Sequence, residues 1–399
     1  MSGTFFAGAS RVDITPTDLS RVYLAGFGTD RKADRVLDPL HARVLYVRQG
    51  DEEFALVMLD LIGVQGPDNR RLREAAGDPG APRVWVASTH THQGPDTLGL
   101  WGKAAAPGVP IVSGIDRRYM SSLASEVAYA VRRAQRRARP ATVAWAVDRS
   151  DKSDLTWNVR DGRWFDHDLW TLVFRDASRG DAIAVLSNYG SHPEYLWSAN
   201  TGVSPDWVVG LHKVIEKDLG GVSIFANGAL GAMVTPGIPE ETGLDERLER
   251  YAHYGRRIAQ MAVKSAASAT EVTNPTLRVK EKHVVVPLDN VQLRFISSLG
   301  VFDRPWDWQG VRTSVGLVEI GDVRLIGAPG EVCPELGLAL KAVTGRERSM
   351  LVSLCNDELG YLMPAPYFDD DNYHYERTVS PGPRTAAKLT DALVELASA

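Results

Sequence analysis

The most informative stretch of the sequence is Arg83-Val-Trp-Val-Ala-Ser-Thr-His90-Thr-His92-Gln-Gly94-Pro95-Asp96. Its apolar first half predicts a buried strand, and Gly94-Pro95 predicts the turn that follows. Both histidines then lie at the carboxyl end of a strand, where open α/β sheets build their binding sites. In extended backbone, residues i and i+2 point the same way. The two imidazoles can therefore share one metal ion, or one can bind metal while the other holds a substrate.

The rest of the chain alternates short apolar runs with helical patterns, which is typical of the α/β class. We predict mixed β-sheets flanked by helices. The predicted strands are Ala42 to Arg48, Phe54 to Gly63, Arg83 to Ser88, Thr142 to Val147, Leu169 to Arg175, Ala182 to Tyr189, Val222 to Asn227, Leu277 to Leu288, Val315 to Ile326 and Ser349 to Leu354. The predicted helices are Tyr119 to Ala138, Trp207 to Leu219, Glu246 to Ser268, Pro334 to Val343 and Arg384 to Ala397.

Composition argues against several classes of protein. The net charge is -5 with a pI near 6.0, so nucleic acid is not an expected partner. The basic run from Arg132 to Arg137 is interpreted as a solvated helix end, where the helix dipole favours positive charge. No window reaches the ~20 apolar residues of a membrane span, and no signal peptide is recognisable. Two cysteines, Cys333 and Cys355, are too few for a disulfide framework, so we expect a cytoplasmic protein.

No internal repeat or low-complexity linker divides the sequence. We therefore predict a single domain over residues 1–399. The segment from Ser297 to Val311, which is rich in Gly, Asp, Pro and Trp, is interpreted as a long ordered loop inside that domain. Oligomeric state is not determined by the sequence.

Two further strands end on a candidate metal ligand. One is Ala182 to Asn188, which continues through Tyr-Gly-Ser to His192 and Pro193; the other is Val323-Arg-Leu-Ile-Gly-Ala-Pro-Gly-Glu331. Local sequence leaves simpler interpretations open. His192 by itself fits a core histidine bonded to backbone, and Glu331 fits a cap on the helix near Pro334.

Taken together, these segments resemble the neutral (non-lysosomal) ceramidase family in their order and flanking residues. The resemblance rests on Ala7-Gly-Ala-Ser-Arg-Val-Asp-Ile-Thr-Pro16, Leu24-Ala-Gly-Phe-Gly28, Asp38-Pro-Leu-His-Ala-Arg43, Val57-Met-Leu-Asp-Leu-Ile-Gly63 and Thr89-His-Thr-His-Gln-Gly-Pro95. It extends from about residue 5 to about residue 382 and implies a ceramidase-like catalytic domain.

The resemblance also implies a zinc site. Its ligands would be His90, His192, Glu331 and Tyr361, the last in Asn356-Asp-Glu-Leu-Gly-Tyr361. Two imidazoles, a carboxylate and an open position suit catalytic Zn²⁺, and a dication favours an ionised phenol.

The resemblance assigns substrate-facing roles to three more side chains. His92 would hold substrate, Arg160 would grip one of its polar groups, and Tyr375 would stabilise an oxyanion. Packing in an aromatic-rich segment is the alternative for Tyr361 and Tyr375.

The sequence departs from the family at its catalytic serine element. Where the family has Gly-Asp-Val-Ser-Pro, this chain has Asn227-Gly-Ala-Leu-Gly-Ala-Met-Val-Thr235-Pro236. We therefore expect a metal-activated water as the nucleophile, with Thr235 at most orienting the substrate. Asp206 and Glu194 are spare carboxylates. Asp206 is interpreted as the start of the helix at Trp207, although either residue would also serve as a general base.

Only 23 residues follow Glu376, so the immunoglobulin-like domain of family members that act on ceramide is expected to be absent. A small soluble substrate is then favoured over membrane-embedded ceramide. Tryptophans at 197, 207, 306 and 308 are candidate walls for an apolar or aromatic substrate group.

The predicted function is that of a zinc-dependent amidohydrolase acting on a small N-acylated molecule. Three alternatives stay open. The same machinery would serve an esterase or lactonase; a dinuclear His-x-His hydrolase would recruit Asp96; and an inactive scaffold would bind metal and ligand only.

Overall fold

A computed structural model describes residues 3–77, 83–106, 109–235, 238, 242–298, 300, 304 and 310–399. Its helices are α1 (Gly66–Ala75), α2 (Arg117–Arg136), α3 (Val208–Asp218), α4 (Leu244–Ala266), α5 (Val291–Ser298), α6 (Pro334–Val343), α7 (His374–Thr378) and α8 (Thr385–Ser398). Its strands are β1 (Phe5–Asp13), β2 (Arg35–Val36), β3 (His41–Gln49), β4 (Glu52–Leu59), β5 (Val84–Ser88), β6 (Ala104–Ala106), β7 (Val109–Pro110), β8 (Arg139–Asp148), β9 (Trp157–Asn158), β10 (Leu169–Asp176), β11 (Ala182–Tyr189), β12 (Gly202–Val203), β13 (Val222–Asn227), β14 (Met233–Val234), β15 (Thr270–Glu271), β16 (Leu277–Val286), β17 (Val311–Ile320), β18 (Val323–Gly327), β19 (Glu331–Val332), β20 (Ser349–Val352) and β21 (Tyr361–Leu362).

Most of the strands form two mixed sheets. The large sheet has the order β13-β11-β10-β8-β1-β3-β4-β5, with β15 paired beside β8, and the small sheet has the order β16-β17-β18-β20. Parallel pairs occur where the chain crosses over through a helix, at β4/β5, β11/β13 and β18/β20. The neighbouring pairs are antiparallel. The mixed α/β architecture predicted from the sequence is therefore confirmed.

The two sheets share one hydrophobic core. Side chains from both contribute to it, and Trp85 of β5 is fully buried there. Gly316 of β17 makes room for this indole, because a Cβ at Gly316 would lie 2.2 Å from the Trp85 ring. Contacts of this kind between close-packed layers leave no space for even one added carbon. The single domain over residues 1–399 remains a prediction, which this shared core supports.

Helices cover the outer faces of both sheets. Apolar side chains of α2 pack on β1, β3 and β4, those of α3 and α4 pack on β10, β11 and β13, and those of α6 and α8 pack on the small sheet. The arginines at the end of α2 are at the surface, as predicted. In the described part of the chain no helix is long and apolar enough to cross a membrane.

Two regions differ from the sequence prediction. The single strand expected from Val315 to Ile326 is a hairpin, because Gly321, at φ +62°, turns the chain between β17 and β18. Strand β1 was missed, since its Ala, Gly and Ser residues give a weak strand signal, yet it is fully paired with β3. Most of the loop predicted from Ser297 to Val311, including Trp306 and Trp308, lies outside the described residues.

Candidate metal centre and active site

His90 lies in a turn immediately after β5, in a strained backbone conformation. Its φ of +73° is in the left-handed region that non-glycine residues seldom occupy. Its backbone N–H donates to Leu61 O at 2.9 Å, and its Nδ1 lies 2.6 Å from Ile62 O. Because a carbonyl only accepts, Nδ1 carries the proton, and the lone pair of Nε2 faces inward. Strain held by such contacts is a feature of functional sites.

His192 follows β11 and is held in the same way. Its Nδ1 lies 2.9 Å from Met233 O, which also accepts the backbone N–H of His192 at 2.9 Å. Trp207 donates from Nε1 to the carbonyl of His192 at 2.9 Å. Trp207 is fully buried, so the expectation that it could form a pocket wall is wrong for this residue. Its hydrogen bond instead holds the backbone of the turn that carries His192.

Asn227, at the end of β13, joins the two histidine turns. Its amide donates to Thr89 O and to Ser191 O, both at 2.9 Å, and its Oδ1 accepts the backbone N–H of Ser191 at 3.1 Å. A second link runs from the backbone N–H of His92 to Pro193 O at 3.0 Å. This role could not be predicted from the sequence, because these contacts join segments about 40 to 140 residues apart.

Glu331 completes a buried cluster with three imidazoles. Its Oε2 lies 3.1 Å from His192 Nε2 and 3.4 Å from His90 Nε2. Ligand atoms of His90, His92 and His192 all lie within 4.8 Å of one another, so this cluster could hold a metal ion. Glu331 does not cap α6, whose N-cap position is Cys333.

Electrostatics couple Glu331 to the imidazoles. Burial opposes charge on His192, but its hydrogen bond to Glu331 and the charge of Glu194 raise its pKa to about 9. Burial also opposes charge on Glu331, yet His90 and His192 hold the pKa of Glu331 far below its usual range. Burial and the neighbouring imidazoles hold the pKa of His92 well below its usual value. His92 is therefore a neutral imidazole with one N–H.

Tyr361 reaches the cluster through a short parallel pairing of β19 with β21, in which Glu331 and Tyr361 are register partners. Its ring centroid lies 5.9 Å from that of Tyr375. Burial raises the pKa of the Tyr361 hydroxyl well above its usual value. Tyr361 is 7% exposed whereas Tyr375 is 51% exposed, so the first belongs to the floor of the site and the second to its rim.

Two cavities meet at the histidines. We call the smaller one, about 60 Å³, the narrow chamber; its apolar wall is formed by Ile62, Leu98, Leu100, Trp101, Leu293 and Leu359. We call the larger one, about 640 Å³, the wide chamber; its lining includes His192, Arg160, Thr235, Trp157, Trp197 and Phe27. Both chambers are also lined by His92, Trp101, Tyr361 and Tyr375.

The structure brings the proposed metal ligands and substrate-facing residues to one place, since all of them line the two chambers: His90, His92, Arg160, His192, Thr235, Glu331, Tyr361 and Tyr375. Arg160 is oriented by a hydrogen bond from its Nε to Glu376 Oε1 at 2.7 Å.

Sequence reasoning missed Phe27, Trp101 and Trp157, because an isolated aromatic residue gives no local sign of facing a cavity. Trp197 does line the wide chamber.

Other predicted acidic residues have structural partners. Asp96 accepts backbone N–H groups from Leu98, Gly99 and Trp101 at 2.6–2.9 Å, so it stabilises a turn and does not join the histidine cluster. Asp206 accepts the backbone N–H of Trp207 at 2.6 Å, but Trp207 is the N-cap residue of α3 and this helix has no side-chain cap, so the interpretation of Asp206 as the residue that caps its start is wrong. Burial raises the pKa of Asp206 to about 7.

Several polar atoms around the wide chamber lack a hydrogen-bond partner among the residues that the structure describes. They are both ring nitrogens of His92, Oε1 of Glu194 and Oε2 of Glu376. All three side chains are at least nine-tenths buried. Buried polar atoms are normally satisfied, so a group of exceptions on residues that line one cavity supports a ligand site there.

The fold of this chain is similar to that of solved ceramidase structures. No protein-family model and no curated protein matches the sequence. Among solved structures, neutral ceramidase from Pseudomonas aeruginosa has a TM-score of 0.81 at 19% identity, and a ceramidase complexed with C2 has a TM-score of 0.80 at 18% identity. Each alignment covers 99% of this chain and 75% of the other chain. The chain therefore has the neutral ceramidase fold, as the sequence resemblance predicted.

Proposed function

We propose that this protein is a zinc-dependent hydrolase that cleaves an amide bond in a small N-acylated substrate. The proposal rests on one observation. The imidazoles of His90 and His192, each held by a backbone carbonyl, converge on Glu331 where the two cavities meet. Imidazole Nε2 atoms whose Nδ1–H donates to a backbone carbonyl are typical of catalytic metal ligands. His90, His192 and Glu331 would hold the ion, with Tyr361 as the fourth ligand. A bound zinc ion would polarise the carbonyl and lower the pKa of water to about 7.

Three side chains would act on the substrate. The ring nitrogens of His92 have no hydrogen-bond partner among the described residues, and as a neutral imidazole His92 can donate one N–H to the carbonyl oxygen as negative charge develops there. Tyr375 at the rim would add a hydroxyl donor. Arg160, oriented by Glu376, would grip a polar substrate group, and Thr235 would orient the substrate without acting as nucleophile.

The chambers support a substrate with two unlike halves. The apolar narrow chamber suits a short aliphatic group, and the wide chamber, with Trp157 and Trp197 beside Arg160, suits a group with aromatic and polar parts.

We further propose a cytoplasmic location, which is supported by Cys333 and Cys355 remaining free thiols.

Metal analysis combined with a substrate screen tests the proposal. We expect one zinc ion per chain and release of amine from N-acyl amides. The His90→Ala protein and the chelated wild type should be inactive, and added zinc should restore only the wild type. Absence of zinc would exclude the proposed centre. A full zinc load with no turnover of amides, esters or lactones would favour the inactive scaffold.

A further inference from the structure

Glu194 is a buried carboxylate that the proposed reaction has not used. It is 5% exposed, lines the wide chamber, and follows His192 by two residues. Its backbone is fixed on both sides, since its N–H donates to His192 O at 3.1 Å and its carbonyl accepts the N–H of Trp197 at 2.9 Å. The carboxylate is therefore held beside the histidines by the main chain.

The two oxygens of Glu194 have different surroundings. Oε2 is the nearer to His92, 3.8 Å from its Nδ1, whereas Oε1 has no hydrogen-bond partner in the described part of the chain. Asp206, in the same part of the chain, provides a contrast, because its two oxygens accept the N–H groups of Tyr195, Leu196 and Trp207. The fold supplies backbone donors to both oxygens of Asp206, whereas it leaves one oxygen of Glu194, a residue that lines the wide chamber, without a donor among the described residues.

We infer that Glu194 Oε1 accepts the N–H of the scissile amide and so makes the site prefer amides over esters. An amide presents a hydrogen-bond donor next to its carbonyl, whereas an ester presents an oxygen lone pair at the same position. A bound ester would leave the buried Oε1 unsatisfied and facing another acceptor, which is the situation that binding sites discriminate against most strongly. The inference rests on the proposed function and narrows its substrate class to secondary amides.

A matched pair of substrates tests the inference. An amide and an ester with the same acyl group and the same leaving-group skeleton are compared by kcat/KM in the zinc-loaded wild type and in Glu194→Gln. We expect the amide-to-ester ratio to fall by about 10- to 100-fold in Glu194→Gln. The amide should lose because its N–H then meets a neutral carbonyl oxygen in place of a charged carboxylate, and the ester should gain because the glutamine can turn its NH₂ towards an ester oxygen. Glu194→Asp, which keeps the carboxylate on a shorter arm, should retain more of the ratio than Glu194→Gln.

Glu376→Gln is the matched control. Glu376 lines the same chamber and also has one unpartnered oxygen, but its other oxygen holds Arg160. Its replacement should lower amide and ester turnover together and leave their ratio unchanged. Zinc content and melting temperature, measured for each variant, separate this effect from loss of metal or of folding.

Three results would overturn the inference. The first is a Glu194→Gln ratio within about twofold of the wild type at full zinc content, and in that case the proposed function would still stand. The second is an equal change of ratio in Glu376→Gln, because the effect would then not belong to Glu194. The third is a wild type that hydrolyses neither substrate, since the inference falls together with the proposed function.

Discussion

Two buried groups of charged residues in this protein are partnered very differently. In the lysine cluster, Lys341 of α6 contacts Asp166 and Asp168, with Nζ 3.0 Å from Asp166 Oδ2 and 2.5 Å from Asp168 Oδ2. Arg149 pairs with the other oxygen of Asp168 at 3.2 Å. In the candidate metal centre, by contrast, His92 and neighbouring carboxylates have polar atoms without a partner among the described residues.

The difference distinguishes a structural cluster from a functional one. A buried charge is tolerated when opposite charge and hydrogen bonds surround it, and Lys341, 1% exposed, meets that condition within its own fold. The candidate metal centre does not meet it within the described residues, which supports binding of a ligand from outside the chain. Replacements in the lysine cluster should therefore change stability, and replacements in the metal centre should change binding and turnover.

The largest effect is expected from His192→Ala, which removes a proposed ligand. Zinc content should fall to near zero and turnover by about 10³-fold or more, because stabilisation of the transition state by the ion would be lost. Metal analysis and initial rates on one preparation measure both. His212→Ala is the control, because His212 is equally buried but bonds Ser223 Oγ at 2.8 Å, away from the cluster. Bound zinc in His192→Ala at the wild-type level would exclude the proposed ligand set.

Lys341→Met tests the prediction that replacements in the lysine cluster change stability. It removes the cation that Asp166 and Asp168 share and leaves Asp168 with Arg149, so the free energy of unfolding should fall by about 3–5 kcal/mol while zinc content stays unchanged. Urea denaturation measures the first and metal analysis the second. Lys213→Met serves as control, since Lys213 is 68% exposed and its 3.9 Å pair with Asp38 should contribute under about 1 kcal/mol. Equal destabilisation by both variants would contradict our interpretation.

His92→Ala separates the roles within the histidine cluster. Because the ring nitrogens of His92 have no fixed partner, we expect zinc to remain bound and kcat to fall by about 10²- to 10³-fold through loss of one oxyanion donor. The comparison with His192→Ala is direct, as both remove one buried imidazole. If His92→Ala also lost its zinc, His92 would be a third imidazole ligand and the proposed asymmetry would be wrong.

The smallest effect is a dependence of zinc affinity on pH. In the metal-free protein the pKa of His192 is raised to about 9, so at pH 7 a proton occupies a proposed ligand and must leave when zinc binds. Affinity should rise about tenfold per pH unit up to pH 9 and level off above it. Competition with a chelator, corrected for the chelator's own protonation, measures this slope. A flat profile between pH 6.5 and 8.5 would show that no such proton is displaced.

Much of the fold was predictable because its signals are local. Strands such as β11 and helices such as α6 were predicted with their observed bounds, since side-chain periodicity within one element reports which face is buried. The strand-end positions of His90, His192 and Glu331 followed from the same patterns. The hairpin of β17 and β18 was not predicted, because one glycine between two apolar runs gave too weak a turn signal.

Residue types and their places at strand ends were determined by the sequence alone, and so was the resemblance that indicated the fold. Tertiary structure decided which polar atoms are satisfied. The side chain of Asn227 hydrogen-bonds to both histidine turns. Backbone N–H groups donate to the carboxylate of Asp206, whereas one oxygen of Glu194 has no donor among the described residues. The physical reason is that a hydrogen bond depends on where a partner lies in space, and these partners come from segments far apart in the chain.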